Sequence, residues 1–312
     1  MIFRRETTKK ISILFVMLSC VVTVSCASTT GSRYGDGVGA DEGGGLTILD
    51  EQRMAEETLP ELQREYPPAG NEELQRYVSR LGTKIVRANN LEGNPYFYEF
   101  TVVADETVNA FALPAGKIFV TVPLIAMVAN EAELAGILGH EIGHVIAGHA
   151  TGRMYALEKS RKERWLYAAG GGVAGVAAGL VAGVVFFPVG CAVGTGGVFL
   201  LRSYNFSANS RQDELDADRI GFEFAVRAGY DKDHVGTFYE NVLRVEEGAL
   251  KSRTPLMKIL TEILDTHPPS RERVRQMREL ASGSPAAETP MITSPEFERA
   301  RTVAAEWRKG ER

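Results

Sequence analysis

Apolar residues recur at intervals of three to four positions along most of this chain, and this periodicity predicts a mainly helical protein. Helices are predicted over Leu46 to Tyr66, Glu72 to Ala88, Asn130 to His149, Ser210 to Gly221, Lys232 to Glu247, Pro255 to Leu264 and Ser270 to Leu280. Two stretches rich in aromatic and β-branched residues, Phe97 to Ala104 and Ala110 to Val122, predict strands. The expected fold class is therefore α+β, with one mainly helical domain over residues 46–280 and a small β-sheet beside the helix that starts at Asn130.

The stretch 167–201 departs from the amphipathic pattern because it contains no Asp, Glu, Lys or Arg. Its length would allow a transmembrane helix, but Pro188 and the segment Gly194 to Gly197 interrupt it. Three interpretations stay open: a buried helical hairpin, a segment that dips into a membrane surface, and a membrane-spanning segment. The hairpin is favoured because the many small residues permit close helix packing.

The N-terminus has the pattern of a targeting signal. Basic residues precede an apolar stretch, Ile11 to Val24, that is short for a mature membrane span. Cys26 and the small polar residues after it resemble a bacterial lipoprotein signal, in which residues 1–25 are removed and Cys26 carries the lipid. A plain cleaved signal is the alternative, because Thr23 stands where an aliphatic residue is usual. Cleavage at Cys20 is less favoured because it would leave a short apolar region.

The regions flanking the predicted domain differ from it in composition. Residues 26–45 are rich in Gly, Ser and Thr, which predicts a flexible tether. Residues 281–312 begin with Ala-Ser-Gly-Ser-Pro, which predicts a loose C-terminal tail, with one helix over Pro295 to Trp307.

Charge and cysteine content exclude some functions. The chain has 35 basic and 40 acidic residues, a formal net charge of −5, and loss of residues 1–25 would remove more basic than acidic groups. We therefore expect no nucleic-acid partner. Of the three cysteines, Cys20 would be removed and Cys26 lipidated, which leaves Cys191 without an intramolecular disulfide partner.

The candidate chemistry begins with His140-Glu141-Ile142-Gly143-His144, inside an otherwise apolar helix. Residues four positions apart lie about 40° apart around a helix axis, one turn above the other, so both imidazoles can reach one metal ion. Glu141 can then face a water molecule at that metal. This H-E-x-x-H arrangement is typical of zinc-dependent peptidases.

His149 is a tempting third ligand, but its spacing argues against it. It lies nine residues after His140 and so on roughly the opposite face of a continuous helix. It also follows His144 by five residues, whereas the metzincin pattern has six. We therefore expect His149 to cap the helix end or to pack there.

The acidic segment after Ser210 offers better candidates for the third ligand. Glu214 and Asp218 are four residues apart and share a helix face, so one can bind the metal while the other holds a ligating histidine. Spacing alone does not distinguish these two from Asp213 and Asp216.

Taken together, the motifs resemble the M48 family of gluzincin metallopeptidases. The resemblance includes the H-E-x-x-H motif and, 70 residues after it, Glu214-x-x-Ala217-Asp218. It extends to VNAFALPAGKI at Val108 to Ile118 and to the His-Pro segment THPPSRERV at Thr266 to Val274. Ala115 departs from the pattern, since the family commonly has a second glycine there.

The resemblance implies a zincin-like fold and assigns roles to individual residues. His140, His144 and Glu214 would bind one Zn²⁺ per chain, Glu141 would act as general base, and Asp218 would hold a ligating histidine. Glu141 would take a proton from the metal-activated water and pass it to the leaving amine.

Three further residues are candidates for the site. The family's His-Pro segment suggests His267 as a second catalytic residue that stabilises the oxyanion. Asn109 could bind the substrate main chain, with Asn109 to Val122 as an edge to which a peptide adds as a strand; a turn asparagine is an equal alternative. Arg273 could pair with a site carboxylate, although a structural salt bridge is the favoured interpretation.

The sequence therefore predicts a zinc metalloendopeptidase of the bacterial cell envelope. It would be held by lipid on the periplasmic side of a membrane, with the outer membrane favoured, and would cleave misfolded or unassembled envelope proteins. Two alternatives stay open: a chaperone or scaffold for outer-membrane protein assembly with a latent protease site, and an integral-membrane peptidase that uses residues 167–201 as its membrane segment.

Overall fold

The computed structural model describes residues 47–93, 95–152, 209–249, 260 and 263–310. The predicted signal peptide, the lipidation site Cys26, the tether, the apolar stretch 167–201 and most of the predicted helix Pro255 to Leu264 lie outside the described residues. None of the helices within the described ranges combines the length and the apolarity needed to cross a bilayer.

The described chain forms helices around a small sheet. Its helices are α1 (Ile48–Glu65), α2 (Glu72–Ala88), α3 (Val122–Met127), α4 (Glu131–Ile146), α5 (Arg211–Arg227), α6 (Thr237–Ala249), α7 (Arg271–Gly283) and α8 (Pro295–Gly310). Its strands are β1 (Glu99–Val103), β2 (Ala110–Leu113) and β3 (Lys117–Thr121). The prediction of a mainly helical α+β fold with a small sheet is confirmed.

The sheet has the strand order β1-β3-β2, with β1 parallel and β2 antiparallel to the central β3. The single strand predicted over Ala110 to Val122 is in fact a hairpin, because a 3₁₀ turn at Pro114–Gly116 divides it. Ala115 has φ 59° and Gly116 has φ 80°, backbone angles that reverse the chain. Glycine adopts such positive φ angles without strain. This explains why the family commonly has glycine at position 115, where this chain has alanine.

The outer edge of β1 is closed by other parts of the chain. Gln75 in α2 accepts a hydrogen bond from Val102 N at 2.9 Å and donates one to Phe100 O at 2.6 Å, so its amide replaces a neighbouring peptide group. Pro67 O and Ala69 N pair with the last part of the same edge. The outer edge of β1 is therefore closed to an added strand, and β2 is the other edge strand of the described sheet.

Close packing of α4 against α5 positions the candidate site. Every residue of α4 from Glu131 to Val145 is buried, and Asn130 caps its N-terminus by accepting a hydrogen bond from Glu133 N at 2.9 Å. Glycines face each other where the helices cross: a Cβ atom at Gly139 would lie 2.6 Å from Gly221 O. The backbones can approach this closely only because neither residue has a side chain.

The C-terminal region contains the helix expected over Pro295 to Trp307, but this helix is packed against the domain and is not part of a loose tail. The chain from residue 295 forms the helix α8, which packs against α2 and α3. Its apolar face buries Phe297, Ala300 and Ala304, each at most 1% exposed. Burial of this face provides the free energy that orders a segment whose leading residues are typical of a linker.

Replacement of Gly221 by alanine should destabilise the fold, because the new Cβ would lie against the backbone nitrogen of His140 and 2.6 Å from the carbonyl carbon of Gly139. We expect the free energy of unfolding to fall by roughly 1–3 kcal/mol, the usual effect of overpacking. Chemical denaturation measures the change. Gly283→Ala in α7 is the control, because a Cβ there meets no atom within 4 Å. Equal stability of the two variants would contradict the close contact.

Candidate metal centre

Helix α4 brings the three residues of the H-E-x-x-H motif into the protein interior. His140, Glu141 and His144 are each at most 3% exposed. The Nε2 atoms of the two histidines are 3.0 Å apart, and their rings meet edge to face with centroids 4.5 Å apart. Both imidazoles therefore direct a nitrogen at one point, as the four-residue spacing predicts.

Glu214 approaches the same point from the first turn of α5. Ser210 and Asp213 form a capping box that fixes the start of this helix. Glu214 Oε1 then lies 3.2 Å from His144 Nε2, and Oε2 lies 3.5 Å from His140 Nε2. Among the four acidic candidates of this segment, the structure brings Glu214 to both histidines of α4.

His267 joins the cluster from the loop before α7. Its Nδ1 atom is 3.1 Å from Glu214 Oε1 and 3.3 Å from His140 Nε2. One donor atom from each of His140, His144, Glu214 and His267 lies within 4.8 Å of the other three. The structure thus places the histidine of the His-Pro segment among the groups that could hold a metal ion.

The donor spacing fits a metal ion. With metal bonds of about 2.0–2.1 Å, two nitrogen or oxygen ligands of a tetrahedral ion are about 3.3–3.4 Å apart. The five donor pairs named above are separated by 3.0 to 3.5 Å. Buried polar atoms that all point at one another are costly unless something satisfies them together. A metal ion would do so, and the donor set of imidazole and carboxylate suits one.

Glu141 lies next to the cluster but is not one of its four members. Its Oε1 lies 3.6 Å from His267 Nε2, the ring nitrogen on the far side from Glu214. A carboxylate in this position can accept a proton from a water molecule held next to the cluster.

Asp218 contacts the ring nitrogen of His140 that does not face the cluster. Its Oδ1 lies 2.8 Å from His140 Nδ1, and Arg273 donates to both of its oxygens at 2.7 Å. Burial acts to raise the pKa of Asp218, but the charge and hydrogen bonds of Arg273 outweigh it and lower the pKa. An ionised Asp218 at this distance favours a proton on Nδ1 of His140, which leaves the lone pair of Nε2 directed at the cluster.

Arg273 contacts both carboxylates that α5 contributes to the centre. It is 1% exposed, its Nη1 lies 2.6 Å from Glu214 Oε2, and its guanidinium stacks on the Tyr239 ring at 4.3 Å. The interpretation of Arg273 as a purely structural salt bridge is therefore incomplete. Tyr239, whose ring lies 5.6 Å from that of His140, was not identified from the sequence. In the sequence, nothing distinguishes Tyr239 from the other apolar residues of α6.

The charged groups of the cluster shift one another's pKa values. Burial acts to lower the pKa of His140, but Glu214 and Asp218 overcome this effect and raise the pKa to about 9. Burial and the neighbouring His140 hold the pKa of His144 well below its usual value. Burial would raise the pKa of Glu214, but His267, Arg273 and His140 lower it well below the usual range. A metal ion that binds His140 at neutral pH must therefore displace a proton.

Two residues near the cluster were not assigned to it from the sequence. His149, expected to cap or pack, has its Nδ1 2.8 Å from His144 Nδ1. Asn209 donates from Nδ2 to Glu214 Oε1 and lies 3.3 Å from His144 Nε2. Asn209 directly precedes the Ser210 cap, and no local pattern distinguishes it from an ordinary loop asparagine.

Asn109 is not part of the cluster. It is 1% exposed at the start of β2, where its backbone pairs with Thr121, and its Oδ1 accepts no hydrogen bond from the described residues. The predicted lipidation site Cys26 lies outside the described residues.

Replacement of Arg273 by methionine should destabilise the protein by about 3–5 kcal/mol, because two buried carboxylates lose their cation. Arg271→Met is the control, since that arginine pairs with Glu247 at an exposed position. The ion pair with Arg273 lowers the pKa of Asp218, so it stabilises the fold fully above pH 3.8, the ordinary pKa of an aspartate. This stabilisation is lost as the pH falls below that value and Asp218 becomes protonated. The stability difference between wild type and R273M, measured by denaturation, should therefore narrow below that pH. A difference that does not depend on pH would contradict the charge pairing.

Comparison with known proteins identifies relatives with related names. The chain is 28% identical over 287 residues to a protein of Escherichia coli K12 named beta-barrel assembly-enhancing protease, an alignment that covers 88% of this chain and 55% of the relative. It is 27% identical over 281 residues to the Escherichia coli K12 protein named metalloprotease YcaL, covering 87% of this chain and 97% of that protein. A Schizosaccharomyces pombe protein named mitochondrial metalloendopeptidase OMA1 is 28% identical, with coverage of 73% and 60%.

The chain spans about half the length of the beta-barrel assembly-enhancing proteases that it matches. A family model described as peptidase family M48 matches residues 71–281, a range that contains all four motifs and the whole buried cluster. The match covers more than half of the chain and confirms the prediction from those motifs. This chain is therefore a member of peptidase family M48.

Proposed function

We propose that this chain is a zinc-dependent metalloendopeptidase of the bacterial cell envelope. The observation that carries the proposal is the convergence of His140, His144 and Glu214 on one buried point, with Glu141 next to this cluster and beside His267. Two helices that meet through glycines hold these groups before any substrate binds. Such preorganisation is what a hydrolytic metal site requires.

The proposed ligands of the zinc ion are His140 and His144 through Nε2 and the carboxylate of Glu214. A bound zinc ion would polarise the scissile carbonyl group and lower the pKa of a bound water. Asp218 keeps His140 in the tautomer that exposes the Nε2 lone pair. Arg273 keeps Glu214 ionised in a buried place, since it lies 2.6 Å from Oε2 of that carboxylate.

Glu141 is the proposed general base. It accepts a proton from the attacking water and later gives it to the amine that leaves the substrate. His267 is the proposed second catalytic residue, because its Nε2 lies 3.6 Å from Oε1 of Glu141, the proposed base. A proton on that nitrogen would stabilise the negative charge that develops on the carbonyl oxygen.

An extended substrate segment is proposed to pair with β2, as expected from the sequence. Gln75 and the 67–69 segment close the edge of β1, so the proposal places the added strand at β2, the other edge strand of the described sheet. Asn109 begins this strand, and the proposal that it binds the substrate main chain requires its buried side chain to turn outward.

The substrates are proposed to be misfolded or unassembled proteins of the envelope. The relatives named beta-barrel assembly-enhancing protease support an envelope setting. The proposed domain arrangement is a signal peptide over 1–25, lipid on Cys26, a tether over 26–45, a peptidase domain over 46–280 and the C-terminal segment 281–312. The lipid would hold the enzyme on the periplasmic side of a membrane, with the outer membrane favoured.

A latent site is the second candidate, and one observation favours it. His267 Nδ1 lies within the same 4.8 Å group as the three proposed ligands. A catalytic zinc site keeps one position open for water, whereas four protein ligands make a closed, structural one. If His267 took the fourth position, the chain would act chiefly as a chaperone or scaffold until that histidine moved away. The integral-membrane alternative rests on residues 167–201, which lie outside the described residues.

Replacement of Glu141 by glutamine should remove peptidase activity while leaving metal binding intact, because the amide cannot accept the proton of water. We expect cleavage of unfolded casein by the full-length protein in detergent to fall by roughly 10²–10⁴-fold. Glu279→Gln on the exposed face of α7 is the control and should cleave like wild type. Equal cleavage by E141Q and wild type would refute the assigned base. A zinc-loaded wild type that cleaves nothing would favour the latent site.

Replacement of Glu214 by alanine should remove the third zinc ligand. We expect one zinc per wild-type chain by elemental analysis after dialysis, and markedly less in E214A at the same chain concentration. Asp216→Ala is the control, since Asp216 lies in the same helix and its Oδ1 accepts a hydrogen bond from Gln212 on the helix surface. Zinc retained by E214A but lost from D216A would reverse the ligand assignment.

A further inference from the structure

We propose that His149 is a positioning residue for the metal centre: together with Asp213 it holds His144 in the orientation and tautomer that metal binding needs. The inference rests on the proposed function, because His144 is a proposed zinc ligand there. His149 itself would touch neither metal nor substrate, and it would act through His144.

The end of α4 brings His149 back to the cluster. The helix ends at Ile146, and Gly148 has φ 69°, a backbone angle that turns the chain and that glycine adopts without strain. His149 is therefore not on the opposite face of a continuous helix, as its sequence position suggests. Its Nδ1 lies 2.8 Å from His144 Nδ1, and the two rings meet edge to face with centroids 5.0 Å apart.

Asp213 faces the other side of the His149 ring. Its Oδ1 is 3.6 Å from His149 Nε2. The Asp213 side chain is 28% exposed and the His149 side chain is 10% exposed. This distance is too long for a direct hydrogen bond, so the carboxylate acts through its charge and favours a proton on Nε2. Because Asp213 directly precedes Glu214, the first turn of α5 supplies both the third ligand and the support for the second.

A single set of tautomers satisfies this chain of groups. If His144 binds metal through Nε2, its proton is on Nδ1 and must be donated. The acceptor is His149 Nδ1, which requires the proton of His149 to be on Nε2, the nitrogen that faces Asp213. The carboxylate of Asp218 lies next to Nδ1 of His140 and favours the same tautomer, with the proton on Nδ1 and the lone pair on Nε2. The two histidine ligands therefore differ in that one is held directly by a carboxylate and the other through a second histidine.

Groups that orient ligating histidines in this way typically change metal affinity by about 10–100-fold when they are removed. His149→Phe fills a similar volume but cannot accept a hydrogen bond. His149→Asn is the conservative variant, because its side-chain oxygen can take the place of the ring Nδ1 as acceptor. The pair separates loss of the acceptor from loss of packing.

The experiment measures zinc affinity of the full-length protein in detergent by competition with a chromogenic chelator. We expect H149F to bind zinc about 10–100-fold more weakly than wild type and H149N to recover most of that loss. Asp213→Asn should weaken binding by a smaller factor, whereas Asp216→Asn, in the same helix, should bind like wild type. Thermal unfolding of the metal-free proteins shows whether each variant is folded, and H149F and H149N should unfold at similar temperatures.

Wild-type affinity in H149F would overturn the inference, and so would equal weakening in H149F and H149N, which indicates a role in packing alone. Unfolding of the metal-free H149F protein at a much lower temperature than H149N would also count against it. In each of these results wild type still binds zinc, and the proposed function stands. A wild type that binds no zinc would instead refute the proposed function, and the inference with it.

Discussion

The contact between the backbones of α4 and α5 is the constraint on which the centre depends. The proposed ligands come from both helices: two imidazoles from α4 and one carboxylate from α5. A glutamate side chain is short, so its oxygens reach the imidazoles only if the helix axes are unusually close. Gly139 and Gly221 allow this approach. A larger residue at the crossing would separate the ligands as well as strain the packing, so stability and metal binding are linked through one contact.

Burial of the two carboxylates that α5 contributes to the centre creates a second requirement, a compensating positive charge, which Arg273 meets. Glu214 and Asp218 are each at most 2% exposed, and two buried carboxylates without compensation would be strongly destabilising. The guanidinium of Arg273 contacts both carboxylates through its nitrogen atoms, and the Tyr239 ring covers one of its faces. Because Arg273 belongs to α7 and His267 to the loop before it, α7 fixes the charge balance and the fourth donor together. The His-Pro segment thus contributes two residues to the centre: His267 as a possible donor to the metal, and Arg273 as the cation that compensates the carboxylates.

The parts of this structure that were predictable from the sequence are those set by local geometry. Positions i and i+4 on a helix share a face, so the pairing of His140 with His144 followed from spacing alone. The choice of Glu214 over Asp213 and Asp216 needed the family resemblance, since spacing left them equivalent. The contacts of His149 and Asn209 depend on where the chain turns after α4 and before α5, which side-chain periodicity does not encode. The hairpin in the stretch predicted as one strand has the same origin, because the backbone angles at Ala115 and Gly116 are not visible in an apolar pattern.

The formal charges around the cluster indicate which kind of ion suits it. Within the described part of the chain, Glu141, Glu214 and Asp218 contribute three negative charges when ionised, and Arg273 offsets one of them. A divalent cation held by two neutral imidazoles would balance the remainder, whereas a monovalent cation would leave an unpaired buried charge. A proton on His140, whose pKa is raised to about 9, supplies part of the same compensation when no metal is bound. Metal and proton therefore compete for one electrostatic role, and the metal is favoured as pH rises because the proton leaves more readily.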